Sequence, residues 1–129
     1  SDGVVTVTTG TGEWWGAALE IEASSGENLS GFADGIMVFD IKGDTTSTFD
    51  IGFQSGLWGN SSRPQVNNFV KFGPTQSRSI TSSWVTHEIP VSAFNKGADL
   101  TDVTSLIYFM GASAFDGKTI DVRNISYRK

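Results

Sequence analysis

The sequence predicts an all-β domain, a two-sheet antiparallel β-sandwich of the jelly-roll type. Three observations carry that prediction. Short segments alternate apolar and polar residues with a period of two, the period of a half-buried strand. Turn-forming residues punctuate these segments at close spacing, with fifteen glycines among 129 residues. No segment carries the 3.6-residue apolar stripe of a long helix. Short strands in that number bury their apolar sides most simply by facing one sheet with another.

The elements follow in order. Val4 to Thr8 reads as the first strand and Gly10-Thr11-Gly12 as its turn. In the next, Trp15, Ala17, Leu19 and Ile21 share one phase, and Trp14, Gly16, Ala18, Glu20 and Glu22 the other. Trp15 is therefore expected in the core and Trp14 outside. Gly35 to Ile41 sets Met37, Phe39 and Ile41 against Val38 and Asp40, and Lys42-Gly43-Asp44 ends it. Thr48 to Gln54 is the clearest case: Phe49, Ile51 and Phe53 point inward, with Asp50, Gly52 and Gln54 facing out. Asn67 to Phe72 places Val70 and Phe72 in one phase and Phe69 and Lys71 in the other. Trp84 to Val91, Leu106 to Met110 and Thr119 to Tyr127 complete about eight strands. Ser92-Ala93-Phe94 and Leu100-Thr101-Asp102 read as single helical turns. In the last strand the apolar phase switches between Ile120/Val122 and Ile125/Tyr127, which predicts a bulge near Arg123-Asn124.

Residues 1–129 are enough for a single domain with its own core. A formal charge of −5 opposes binding to nucleic acid or anionic membranes, which requires a basic face. No stretch approaches the roughly 20 apolar residues of a membrane-spanning helix. The start at Ser1-Asp2-Gly3, without Met, fits a mature product or an excised domain. With no cysteine, thiolate metal sites and disulfides are excluded, and a single histidine, His87, excludes a multi-histidine metal centre. There is no nucleophile elbow, phosphate loop or His-Glu-x-x-His motif. Glu20 and Glu22 share a strand face, but a glycosidase pair usually comes from separate strands in a deep cleft, so they read as a solvated face. His87 reads as structural. The expectation is a protein that is not an enzyme.

Binding has stronger support. Trp is costly to expose, and its flat amphipathic ring is a preferred recognition surface. Trp14 lies in Gly12-Glu13-Trp14-Trp15-Gly16, and Trp58 in the polar loop Gly56-Leu57-Trp58-Gly59-Asn60. An aromatic face takes the C–H side of a sugar ring, while Asn, Gln, Asp, Arg and Lys hydrogen-bond its hydroxyls. Outward-facing Asp50 and Gln54 flank Gly52, which would leave room for a ring near the backbone. Asn60, Arg63, Asn67 and Lys71 come from the following loop and strand. The candidate ligand-binding set is thus Trp14, Asp50, Gln54, Trp58, Asn60, Arg63, Asn67 and Lys71. Trp58 has a competing reading as a loop anchor, and Trp84 reads as packing. Asp2, Glu20, Glu22 and Asp121 near the chain ends could supply oxygens to a structural Ca²⁺.

Three stretches carry a resemblance to a known family. Gly35-Ile36-Met37-Val38-Phe39-Asp40-Ile41-Lys42 is similar to a strand with the pattern Gly-x-Leu-x-Phe-Asp. Trp84 to Phe94 is similar to Trp-x-x-x-x-Ile-Pro-(Leu/Val)-Ser-x-Phe, the most specific of the three. Thr119 to Tyr127 is similar to a closing Val-Asp-Asn-Ile strand. Together they resemble carbohydrate-binding modules of the galactose-binding-like jelly-roll type, accessory domains of secreted bacterial glucan hydrolases. The resemblance implies non-catalytic binding of a polysaccharide, most of all a β-1,3 or mixed-linkage β-glucan, on an open sheet face with its rim loops. It also implies an extracellular location and a catalytic domain in the same parent chain. The competing expectation is a structural or adhesive sandwich that packs against a catalytic partner without glycan affinity. In the family an Asp before Asn-Ile often helps to hold a structural Ca²⁺; here Arg123 stands there, so the metal is not carried over and no cofactor is expected. Either Arg123 neutralises nearby carboxylates such as Glu20 or Glu22, or the bulge turns it outward and Asp121 takes the ligand role.

Overall fold

A computed structural model describes residues 4–8, 15–20, 27–44, 48–57, 59–73, 76, 78–94, 97–111 and 118–129, with 8 and 15–20 described by backbone alone. Among these residues the chain forms eight strands: β1 (Val5–Thr8), β2 (Trp15–Glu20), β3 (Ile36–Gly43), β4 (Phe49–Ser55), β5 (Val66–Phe72), β6 (Val85–Pro90), β7 (Val103–Gly111) and β8 (Thr119–Arg128). They make two antiparallel four-stranded sheets, in the orders β1-β8-β3-β6 and β2-β7-β4-β5. This is the predicted sandwich.

The core lies between the sheets. Met37, Phe39 and Ile41 of β3, Ile120 and Val122 of β8 and Ile89 of β6 meet Phe49, Ile51 and Phe53 of β4, Val70 and Phe72 of β5 and Ile107 and Phe109 of β7. The phase read for β4 holds, with Phe49, Ile51 and Phe53 at most 1% exposed. Alternation makes this outcome necessary, because any strand that buries Ile51 must bury residues two away on either side. The turn read at Ser92-Ala93-Phe94 is a 3-10 turn, Val91–Phe94, that buries Val91 and Phe94. Leu100-Thr101-Asp102 forms a hydrogen-bonded turn, Asp102 N–H donating to the Asp99 carbonyl at 3.0 Å.

The bulge read near Arg123-Asn124 is present. Pairing of β8 with β3 shifts between Val38↔Ser126 and Asp40↔Arg123, and Asn124 takes φ 56°. Asn is among the few non-glycine residues that adopt the left-handed region at modest cost. The bulge moves Tyr127 to the core face, where it packs against Phe53 and donates its hydroxyl to the Leu106 carbonyl at 2.5 Å.

His87 is structural, as read. It stacks beside Phe39 and meets the edge of Phe72, with ring centroids 5.9 and 4.9 Å away. Burial holds its pKa below the usual histidine value, and the positive charge of Arg78 adds to that, against an opposing hydrogen bond to the Ser79 backbone. Its Nε2 is buried and has no hydrogen-bond partner among the described residues.

Candidate functional site

The outer face of sheet β2-β7-β4-β5 gathers most of the described candidate residues. The register gives three rows across β7, β4 and β5: Met110–Asp50–Lys71, Tyr108–Gly52–Phe69 and Ser105–Gln54–Asn67. Rows two residues apart along a strand are roughly 7 Å apart, so the three span about 14 Å.

In the first row the Lys71 ammonium donates to Asp50 Oδ1 at 2.6 Å. Lys71 stays half-exposed, and its Nζ lies 5.2 Å from the centroid of the Phe69 ring. Phe69 is half-buried on β5, an edge strand of the sheet. It is the aromatic that the candidate set omitted, although its phase with Lys71 placed it on the same face.

Two expectations about this face are corrected. Gln54 lies on the predicted side but does not face out: it is 8% exposed. Its Nε2 donates to Asn67 Oδ1 at 3.0 Å, and Ser105 Oγ donates to its Oε1 at 2.8 Å. An amide with partners on both neighbouring strands lies along the sheet instead of projecting from it. Gly52 does not leave room for a ring. A Cβ added there would fall 1.7 Å from the Asn68 carbonyl oxygen and 2.7 Å from Phe69 Cα, so the glycine permits a close approach of β5 to β4.

Asn60 and Arg63 lie in the loop between β4 and β5, beyond the Gln54–Asn67 row, and both have internal partners. Asn60 Oδ1 accepts from Ser62 N–H, Ser62 Oγ and Arg63 N–H at 2.9–3.0 Å, an Asx-type turn. Arg63 makes a two-pronged pair with Asp102, at 2.8 Å to Oδ2 and 2.6 Å to Oδ1. That pair borders a pocket of about 210 Å³ with Ser55, Gly56, Ser62 and Asp99. Gly56 and Gly59 supply the positive φ values, 71° and 77°, that fold the loop back. Leu57 is exposed within it. Trp14 and Trp58 lie outside the described residues, as do Asp2, Glu22 and the side chain of Glu20.

The outer face of the other sheet carries Trp84, half-buried and already engaged. The Arg123 guanidinium carbon lies 4.0 Å and Lys42 Nζ 4.8 Å from a Trp84 ring centroid. Arg123 also pairs with Asp40 at 3.2 Å. Hydrogen bonds from Thr86 and Asn124, with a further one from Arg123, hold the Asp40 carboxyl below its ordinary range. Asp121 accepts from Thr6 Oγ1 at 2.9 Å. Among the described residues no three acidic or histidine side chains come together as a metal site.

Comparison with known proteins follows this geometry. The family profile described as carbohydrate binding domain 30 matches residues 2–129. Among solved structures the chain is similar to the family 30 carbohydrate-binding module of a cellulosomal cellulase of Clostridium thermocellum, with 23% identity over 98% of this chain and 74% of that one, and a TM-score of 0.75. It is also similar to a family 11 carbohydrate-binding module from Clostridium thermocellum in complex with a β-1,3-1,4-mixed-linked tetrasaccharide, with 20% identity over 95% of this chain and 80% of that one, and a TM-score of 0.59. At these identities the structural likeness speaks for the fold. No curated protein matches the chain by sequence.

Proposed function

We propose, from the premise that this chain belongs to the carbohydrate binding domain 30 family and is therefore a non-catalytic polysaccharide-binding module, that its ligand is a β-glucan of β-1,3 or mixed β-1,3-1,4 linkage. The binding surface is the outer face of sheet β2-β7-β4-β5. The observation that carries the reading is the placement of half-buried Phe69 between the Asp50–Lys71 ion pair and the Gln54–Asn67 amide pair. A glucan sugar whose hydroxyls are equatorial has an apolar C–H face and a polar rim. The Phe69 ring takes the first and the flanking pairs take the second. Asp50 and Lys71 cancel each other's charge, which suits a neutral sugar. Trp14 and Trp58, read from the sequence alone, are proposed as further sugar contacts, and Asn60 and Arg63 shape the loop between β4 and β5. The solved family 11 relative in complex with a mixed-linked tetrasaccharide supports this linkage class. The family 30 relative from a cellulosomal cellulase supports an extracellular role in bringing an attached glycoside hydrolase to its substrate.

Affinity electrophoresis in gels containing barley β-glucan, laminarin, xylan or agarose tests the reading. The wild-type chain is retarded by the first two, and Phe69→Ala relieves the retardation. Unchanged mobility in all four gels would instead favour the structural or adhesive sandwich.

A further inference from the structure

The pocket beside the Arg63–Asp102 pair stands apart from the sheet face. It encloses about 210 Å³ between the β4–β5 loop and the segment that leads from residue 97 into β7. Its floor is Ser55, the last residue of β4, with Gly56. Ser55 pairs with Val66 and shares the inward phase of Phe53, so the pocket opens at the end of the sandwich and not on its outer face. The Arg63–Asp102 pair joins one wall to the other. The Asp99–Asp102 wall is also tied to the floor: Asp99 N–H donates to Ser55 Oγ at 2.9 Å, and Gly56 N–H to the Asp102 carbonyl at 3.1 Å. A cavity braced in this way is formed before any ligand arrives, as ligand pockets usually are.

Its chemistry narrows what fits. Thr101 donates its hydroxyl at 2.6 Å and its N–H at 2.9 Å to Asp99 Oδ1. These two bonds hold the Asp99 carboxyl below its ordinary range, so it is ionised at neutral pH. An ionised carboxylate only accepts hydrogen bonds, so the ligand must donate them. Arg63 balances one of the two acids, and the remaining negative charge repels an anion. A calcium ion takes six to eight oxygens, and no three acidic or histidine side chains come together among the described residues. Pro64 and Val66 add apolar surface to the lining. A sugar ring has both the donors and the apolar C–H face. Drug-sized ligands occupy roughly 300–1,000 Å³, so this smaller volume suits one ring. We infer that the pocket is a second glycan site, which takes the terminal ring of a neutral polysaccharide chain with Asp99 as the acceptor for its hydroxyls. This goes beyond the proposed function: the sheet face holds a chain along its length, and the pocket holds its end.

The test is a titration of the ¹⁵N-labelled chain with methyl β-D-glucopyranoside, a single ring, followed by backbone amide shifts. The expected result is saturable movement of the amides of Arg63, Asp99, Thr101 and Asp102, complete by roughly 100 mM, where a site of millimolar dissociation constant is full. If those amides stay still, or only those of Asp50, Phe69 and Lys71 move, the inference is overturned by the wild-type chain alone. Asp99→Asn keeps an oxygen for Thr101 and replaces the other carboxylate oxygen by a donor. It should weaken the glucoside roughly fivefold or more, and Val66→Phe, which fills the cavity from its apolar side, should abolish the shifts. Wild-type affinity in both variants overturns the inference. In gels containing barley β-glucan, Asp99→Asn should be retarded like wild type, and lost retardation would overturn the separation of the two sites. Failure of the proposed function shows differently: the wild-type chain would pass unretarded through barley β-glucan and laminarin while the pocket amides still responded to the glucoside.

Discussion

Replacing Gly52 by Ala separates two accounts of the middle of the sheet. If the glycine only made room for a sugar, the alanine would weaken binding and leave stability alone. The geometry predicts the reverse order of effects. The new Cβ would sit 1.7 Å from the Asn68 oxygen, 2.7 Å from its carbonyl carbon and 2.7 Å from Phe69 Cα, all of them backbone atoms. The two strands must part by about an ångström before the closest contact reaches the 3.0 Å that real Cβ atoms respect. Parting β4 from β5 there weakens the ladder on either side of the Gly52↔Phe69 pair. Two weakened backbone hydrogen bonds, with overpacking strain added, cost about 3–5 kcal/mol. For a domain of this size that lowers the melting temperature by roughly 10–20 °C. Thermal unfolding followed by far-ultraviolet circular dichroism measures the shift. A Gly52→Ala melting temperature within 2–3 °C (roughly one kcal/mol or less) of wild type, with affinity lost, would refute the close-approach reasoning and restore the ligand-space account.

Four further outcomes are expected. Phe69→Ala costs about 1–3 kcal/mol of glucan binding by isothermal titration, while its melting temperature stays within a few degrees because the ring lies outside the core. Asn60→Ala removes the acceptor of three hydrogen bonds that fold the β4–β5 loop, so limited proteolysis cuts near residues 59–63 faster than in wild type while the sandwich still unfolds cooperatively. His87 has a folded-state pKa below its unfolded value of about 6.5. Between those two values the unfolded chain binds more protons, so stability falls as pH drops below about 6.5 and the loss levels off beneath the folded value; melting curves from pH 8 to 5 should show this fall, and His87→Gln should flatten it. Arg123 is engaged with Asp40 and Trp84, so the melting temperature in excess Ca²⁺ is expected to match that in chelator; a rise of several degrees with Ca²⁺ would contradict this.

Much of the architecture was legible because alternation is a property of the backbone alone. Phe49, Ile51 and Phe53 declare their common face wherever the strand is placed, and the phase switch from Val122 to Ile125 could only be absorbed by an extra residue. Identity of the inner face therefore followed from local chemistry. The loop glycines and the Ser92-Ala93-Phe94 turn were legible for the same reason. The candidate face was half legible: Asp50 and Gln54 shared a phase, and Asn67 and Lys71 were drawn in from the following strand, which the register sets opposite them, but their hydrogen-bond partners were not foreseeable. The placement of Tyr108 was hidden inside the apolar run Leu106 to Met110, where a continuous apolar stretch does not say which face is the inner one.

The remainder depends on which strands are neighbours. Gln54 is buried because β7 brings Ser105 to one end of its amide and β5 brings Asn67 to the other. Arg63 meets Asp102 39 positions away, and Arg123 meets Asp40 83 positions away. Gly52 is required by the backbone of β5, not by anything on its own strand. Side-chain direction is set within a few residues of chain, so the sequence carries it openly. Strand order is set by the whole chain settling at once, when two sheets find the arrangement that buries the most apolar surface with their polar groups paired. Only that collective choice turns a list of outward-facing residues into a surface.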